Sequence, residues 1–487
     1  MAYARTLAAL SLALVAACAQ PGQYDIVIQG GRVIDPETGL DAVRNVGITG
    51  DRIAAITDQA LRGDRVIDAA GLVVAPGFID LHQHGHDEDS YRLKALDGVT
   101  TALEMEMGVP DYAAFLAARA GGTLVHYGAT VSHEAARVVT WGLPLEPSQG
   151  GPAAAIDDPA AGPVTEEAAS PERLEALLAY ARKGLDEGAL GIGMGLEYTP
   201  GATRWEVIRH FQLAAERKVP VYVHVRGTGA LEPGSSIESI VEMLGAAAAT
   251  GASVHIVHIN SSCMSFAFDC LSMIEGAQRQ GLDVTTEAYP YGAGMTSIAS
   301  ALYNPGWNVR RKVDYGDIEL PTTGERLTKA TFDALRATGR PEYVLMHMNP
   351  DSVVDRIVVH PMTMIASDGL KSHPRGAGTY ARVLARHVRE QGALTLTQAI
   401  DKMSLMPAKR LESATAAAKR KGRVQVGADA DLAIFDPTTI ADKATYRDQR
   451  AASVGMQYVL VAGVPVVSEG QLVEGVAPGR AIVADKR

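Results

Sequence analysis

With three cysteines in 487 residues, the chain can form neither a disulfide-built scaffold nor a four-cysteine zinc site. Aromatic residues are scarce, at 7 Phe, 3 Trp and 16 Tyr, against 49 Gly and abundant Ala. The core must therefore consist of small aliphatic side chains between many tight turns, which favours a layered α/β architecture over an aromatic-rich binding module. Positive charge is not in excess either: 45 Lys+Arg face 56 Asp+Glu, a net charge of −11. No basic stretch is available to neutralise a phosphate backbone, so nucleic acid is not an expected partner. Beyond residues 7–17 there is no long apolar run, and a polytopic membrane protein is excluded. What is present, 47% hydrophobic and 21% charged residues, suits a globular chain able to bury a large core. The length fits two or three ordinary domains, or one large barrel with an accessory module.

Cys18 has the most informative surroundings. Arg5 precedes the apolar run 7–17, which has the length of an export-signal core. The run ends Val15-Ala16-Ala17-Cys18, and small residues before a cysteine resemble the lipobox of bacterial lipoproteins. Residues 1–17 are read as a signal peptide, with Cys18 as the lipidated first residue of a periplasmic or cell-envelope protein. An ordinary signal peptide that ends near a cysteine is the alternative, and either one exports the chain. Cys263 and Cys270 lie seven residues apart, ~10 Å on a continuous helix and beyond disulfide reach, so two free buried thiols are expected.

Short strand signals with Gly and Asp turns recur at 24–28, 32–34, 45–49, 53–56 and 65–67. From residue 72 the pattern changes to apolar runs separated by alanine-rich helical stretches, the alternation of parallel strands with crossover helices. The runs are 73–81, 99–107, 123–131, 189–196, 219–225, 254–259, 284–289 and 364–367, and eight is the number that closes a (β/α)8 TIM barrel. Over seventy residues separate the last two runs, with one further strand signal at 343–346, a stretch expected to form a lid or active-site loop. Strand signals return at 422–424, 430–435, 458–461 and 464–467. The expected organisation is a barrel over 72–418, with a small flanking β-sandwich built from both chain ends, 23–71 and 419–487.

Histidines concentrate at the predicted strand ends. His82-Gln83-His84 follows Phe78-Ile79-Asp80-Leu81, and alternate strand residues face one side, so both imidazoles could reach one ion. His224 ends Val221-Tyr222-Val223, and His258 ends the run 254–257. Four imidazoles at matching depth form a donor set suited to zinc. Asp368, in Ser367-Asp368-Gly369, closes the eighth run. Alone it would be read as a helix N-cap. Beside a metal-activated water, a carboxylate there can take a proton and pass it to a leaving group. Glu104 and Glu106 share parity in the largely apolar second run, where a buried Glu is rare unless paired or ligating. Glu106, nearer the carboxyl end, is the better candidate for bridging two ions, with Glu104 behind it or in a buried salt bridge. His133 and His347 are expected at the mouth.

The segment Ala75-Pro76-Gly77-Phe78-Ile79-Asp80-Leu81-His82-Gln83-His84 resembles the signature of the amidohydrolase superfamily, metal-dependent TIM barrels with a flanking β-sandwich. Gly98-Val99-Thr100-Thr101, Glu187-Gly188-Ala189-Leu190-Gly191, Gly195-Leu196-Glu197-Tyr198, His224-Val225-Arg226, Tyr289-Pro290-Tyr291, His373-Pro374-Arg375 and Gly427-Ala428-Asp429-Ala430-Asp431-Leu432 narrow the resemblance. In order, from residue 24 to 479, the set is similar to the N-acyl-D-amino-acid deacylase (D-aminoacylase) family. The resemblance implies one or two zinc ions, with His82 and His84 at the more exposed position, His224 and His258 at the tighter one, and Asp368 as the catalytic acid/base.

Two departures stand out. Where well-known members carry a bridging cysteine after the second strand, this chain has Met105-Glu106-Met107-Gly108, and the role passes to Glu106. Where the family often has a substrate-holding lysine, it has Asn260. The substrate carboxylate then falls to Arg226, Arg375, Tyr289 or Tyr291. The fourth run also lacks the lysine that dihydroorotases and hydantoinases carbamylate. The expected activity is hydrolysis of a linear amide, an N-acyl-D-amino acid or a related acylated amino acid or dipeptide, with His133 or Tyr289 supporting the oxyanion. A dipeptidase or cyclic amidase on the same barrel is the runner-up, and a lipid-anchored binding protein that has lost catalysis is the reading from a different class.

Overall fold

The computed structural model describes residues 23–145, 153–157 and 161–486. The signal segment and Cys18 lie outside them. Five strands open the chain: β1 (Gln23–Asp35), β2 (Leu40–Thr49), β3 (Arg52–Thr57), β4 (Arg62–Asp68) and β5 (Val73–Pro76). Eight parallel strands follow: β6 (Phe78–Asp80), β7 (Val99–Val109), β8 (His126–Ser132), β9 (Ile192–Gly195), β10 (Val221–His224), β11 (Val254–Ile256), β12 (Val284–Ala288) and, after an insertion carrying β13 (Ala293–Ser297), β14 (Ile318–Glu319) and β15 (Tyr343–His347), β16 (Thr363–Ile365). These strands are covered on both faces, which is why each reads as a plain apolar run. The run 73–81 proves to be two strands: Gly77 separates β5, which joins the flanking sheet, from β6, which begins the barrel. Beyond the strand ends, His84 N donates to Gly369 O (3.1 Å) and Gly369 N to His82 O (3.1 Å). The barrel therefore closes through the same two segments that carry candidate site residues.

The carboxy-terminal strands β17 (Leu432–Phe435), β18 (Met456–Val461), β19 (Val464–Ser468) and β20 (Gln471–Leu472) join the amino-terminal ones in a nine-stranded sheet, in the order β20-β19-β18-β17-β5-β1-β2-β3 with β4 beside β1. Antiparallel pairing of β5 with β17 unites the two chain ends. The sheet has its own core, including Ile28, Val33, Val46, Ile53, Val74 and Leu432. Residues 422–424 do not form the expected strand; Arg423 there pairs with Glu37 and Glu412 instead. The insertion before β16 is no bare loop. Strands β13, β15 and β14 form a small sheet over a core of Tyr303, Trp307, Phe332 and neighbours.

The expectation of two free thiols is overturned, since Cys263 and Cys270 form a disulfide with a Cα–Cα distance of 6.6 Å. The ~10 Å figure assumes one continuous helix, whereas a short helix ends at Ser262, Met264 turns with φ 47°, and a new helix starts at Ala267. Thiol titration of the denatured, unreduced protein is expected to detect neither cysteine. Replacing both by Ala should cost about 2 kcal/mol of unfolding free energy; detection of two free thiols would contradict the assignment.

Candidate metal centre

All of the clustered residues sit at the carboxyl ends of barrel strands, the end that carries chemistry in this architecture. Strand β7 delivers two of them through an irregularity. Between Glu104↔Ala129 and Val109↔Val131 five steps of β7 match two of β8, so β7 bulges inward. The bulge presses the main chain of Glu106 onto β9, where a Cβ on Gly193 would stand 2.3 Å from Glu106 O; only glycine fits. Thr130 Oγ1 donates to Met105 O (2.9 Å) and fixes the bulge from the other side. His258 and Asp368 follow their strands in left-handed backbone conformations, φ 31° and 51°, which turn both side chains inward.

Glu106 is the hub. One carboxylate oxygen lies 3.0 Å from His82 Nε2 and 3.2 Å from His84 Nε2; the other lies 2.8 Å from His224 Nδ1 and 2.9 Å from His258 Nε2. Asp368 Oδ1 stands 3.2 Å from His84 Nε2 and 3.6 Å from His82 Nε2. Donor atoms thus converge in two groups that share Glu106: His82, His84, Glu106 and Asp368, and Glu106, His224 and His258, each set within 4.8 Å. Glu106 lies between the two histidine groups, and Glu104 lies behind, 2.7 Å from His84 Nδ1.

Other carboxylates aim the rings. Glu287 accepts from His82 Nδ1 (2.7 Å) and His255 Nε2 (3.1 Å), and Glu197 from His224 Nε2 (3.1 Å). Neither was singled out in the sequence, although Glu287 in Val284-Thr285-Thr286-Glu287 carries the same signal as Glu104 and Glu106, a carboxylate inside an apolar strand. Burial alone would lower the imidazoles. The surrounding carboxylates outweigh it, raising His82 and His84 well above the usual value and His224 to about 9. At Asp368 burial favours the neutral acid, but Arg375, 2.8 Å away, and the imidazoles hold the carboxyl far below its usual range.

Five carboxylates (Glu104, Glu106, Glu197, Glu287 and Asp368) are thus buried around four imidazoles, with two guanidiniums, Arg311 and Arg375, against them. So much negative charge in a dry pocket is costly without cations. Divalent ions held by the converging nitrogen and oxygen atoms fit that requirement.

The cluster opens into a cavity of about 1090 Å³, counted with its mouth. Tyr289 and Arg375 line it, and the Arg375 guanidinium lies over the Tyr289 ring at 4.7 Å. Nε and Nη1 of Arg375 are buried with no hydrogen-bond partner among the described residues. The other two residues expected to hold substrate do not reach the cavity. Arg226 turns to Glu242, at 3.1 and 3.0 Å, and faces a neighbouring cleft, because Glu242 on the next helix is the nearer counter-charge. Tyr291 is buried against His373, Tyr446 and Arg382. His133 is likewise buried against Glu206 at 2.7 Å, and His347 pairs with Glu319 at 3.1 Å; neither lines the cavity.

A barrel with a shared carboxylate between two histidine groups at its catalytic end is the architecture of a metal-dependent hydrolase. The amidohydrolase family model matches residues 65–467. N-acyl-D-glutamate deacylase of Alcaligenes xylosoxydans xylosoxydans is 33% identical over 482 residues, covering 91% of this chain and 94% of that protein. D-aminoacylase of the same organism is 30% identical over 492 residues, covering 94% and 97%. A crystal structure of D-aminoacylase superposes with a TM-score of 0.78 at 26% identity, covering 94% of this chain and 99% of that one. The N-acyl-D-glutamate deacylase from Bordetella bronchiseptica, complexed with zinc and a phosphonate inhibitor, gives 0.77 at 26%, covering 95% and 100%. The chain belongs to the amidohydrolase family, in its N-acyl-D-amino-acid deacylase branch.

Glu287→Ala removes the carboxylate behind His82 without touching the converging donor atoms. Zinc affinity is expected to fall about 10–100-fold, measured by competition with a chromophoric chelator; unchanged affinity would show that Glu287 does not orient the ring.

Proposed function

We propose that the protein is a zinc-dependent deacylase that hydrolyses the linear amide of N-acyl-D-amino acids. The observation that carries this reading is the convergence on one cavity of the Glu106-centred cluster, Asp368 and Arg375. His82, His84, Glu106 and Asp368 would hold one ion, and Glu106, His224 and His258 a second. When bound, zinc acidifies water and polarises the amide carbonyl. Asp368, kept ionised by Arg375 and the imidazoles, takes a proton from the attacking water at Oδ and returns it to the departing nitrogen. Arg375 Nε and Nη1 hold the substrate carboxylate, and the Tyr289 ring beneath fixes the guanidinium plane. Burial pushes the Tyr289 hydroxyl up to about 12, so it stays protonated and can donate to the developing oxyanion. Asp368→Asn is expected to lower kcat about 10²–10⁴-fold with the protein still folded. Chelation should abolish turnover, and zinc should restore it; wild-type turnover in the variant, or active protein free of metal, overturns the proposal.

The same reading places the enzyme outside the cytoplasm, anchored through Cys18. The Cys263–Cys270 disulfide suits an oxidising compartment. No helix among the described residues is long and apolar enough to cross a membrane. Expressed from its full gene, the protein should partition into detergent and incorporate labelled palmitate, and Cys18→Ser should abolish both; an unlabelled wild-type protein would reduce the leader to an ordinary signal.

A further inference from the structure

The wall of the cavity opposite Arg375's role has its own chemistry, and it is not that of a pocket for acidic side chains. Two cations line the cavity. Arg375 is committed to Asp368 and, on the reading above, to the substrate carboxylate; Arg311 is paired with Glu197 and donates to Leu302 O at 3.0 Å. A second carboxylate on the substrate, such as a glutamyl or aspartyl side chain, would enter a cavity whose two lining guanidiniums are already paired, and burying it without a counter-charge is costly.

A carboxylate stands there instead. Asp157, in a segment before the fourth barrel strand, lines the cavity at 7% exposure and takes a hydrogen bond from Ser297 of β13. Tyr343 of β15, His84 and Asp368 line the same cavity, so Asp157 and the cluster face one space. Burial raises the Asp157 carboxyl to about 6, against the hydrogen bond from Ser297 and the charge of Arg336, so at neutral pH it is an anion short of stabilisation. Met107, Met295, Met346 and Met348 line the same cavity and give its wall an apolar, deformable component. An alkyl chain with a cationic tip matches that pairing of thioethers with a carboxylate, which gives both its aliphatic stem and its charge a partner.

Building on the deacylase reading, we propose that Asp157 is a specificity-determining residue, which admits substrates carrying an amine remote from their carboxylate and rejects acidic ones. The amine can come from two sources: the side chain of a basic D-amino acid, or the free amino group of an aminoacyl unit in place of a simple acyl group. In either case this chain departs from the acidic preference named for the relative at 33% identity.

The test is a kcat/KM panel on the zinc-loaded full chain with N-acetyl-D-lysine, glycyl-D-norleucine, N-acetyl-D-norleucine and N-acetyl-D-glutamate. One or both of the amine-bearing substrates should exceed N-acetyl-D-norleucine by about tenfold or more, and N-acetyl-D-glutamate should lie about 100-fold or more below it. Which amine substrate leads identifies the source. In Asp157→Asn the ratio of amine-bearing to neutral substrate should fall by about tenfold, a ratio unaffected by how much of the variant folds. N-acetyl-D-glutamate as the best substrate, or an unchanged ratio in Asp157→Asn, overturns the inference while leaving the deacylase reading standing. No turnover of any of the four by metal-loaded protein overturns both.

Discussion

Glu106 must meet imidazoles from three strand ends at once, and much of the local backbone is arranged to let it. A regular strand would hold a carboxylate at that height within one register, alternating with its neighbours. The bulge in β7 moves it inward, and the adjacent strand accommodates the move with a residue that has no side chain, Gly193. Both carboxylate oxygens are then available, one to the His82/His84 side and one to the His224/His258 side. A carboxylate so placed meets both histidine groups at once because it offers two oxygens.

The next layer of the structure holds these groups in place. Asp80, fully buried in β6, accepts from His82 N (3.2 Å), Ser367 N (3.0 Å) and Ser367 Oγ (2.5 Å), and its charge is matched by Lys94 at 2.9 Å. The Asp80 carboxylate thus ties the first strand of the barrel to the loop that presents Asp368 through Ser367, while its ion pair with Lys94 holds it to the helix that follows. Breaking such a pair leaves an uncompensated charge, at about 3–5 kcal/mol. The barrel's closure and the placement of its acid/base candidate therefore both depend on the segment that Asp80 holds through Ser367.

Much of this was legible in the sequence. Eight apolar runs, strand signals at both chain ends and histidines at the run ends lead to the barrel, the flanking sheet and the cluster, because strand parity and position at a strand end are local properties. Glu104 and Glu106 share parity within β7, and it was nearness to the carboxyl end that separated the hub from the residue behind it. Glu287 was equally legible by the same argument. Where the reading missed, the missing information was three-dimensional. The Cys263–Cys270 bond depends on a break between two helices. Arg226 and Tyr291 stand beside motif residues in the chain, yet their side chains are claimed by Glu242 and by a ring cluster contributed from elsewhere.

The sequence by itself determined the architecture and the class of chemistry, since apolar periodicity and the spacing of donor residues are written along the chain. Tertiary structure alone decided which groups face the cavity. A side chain's direction depends on the nearest counter-charge or packing partner, and for Asp157, Arg311, Arg375 and the methionines around them those partners come from segments up to hundreds of residues apart. The shape and charge of the cavity wall, and hence what it will accept, exist only once β13, β15 and the helical segment at Asp157 are assembled over the barrel mouth.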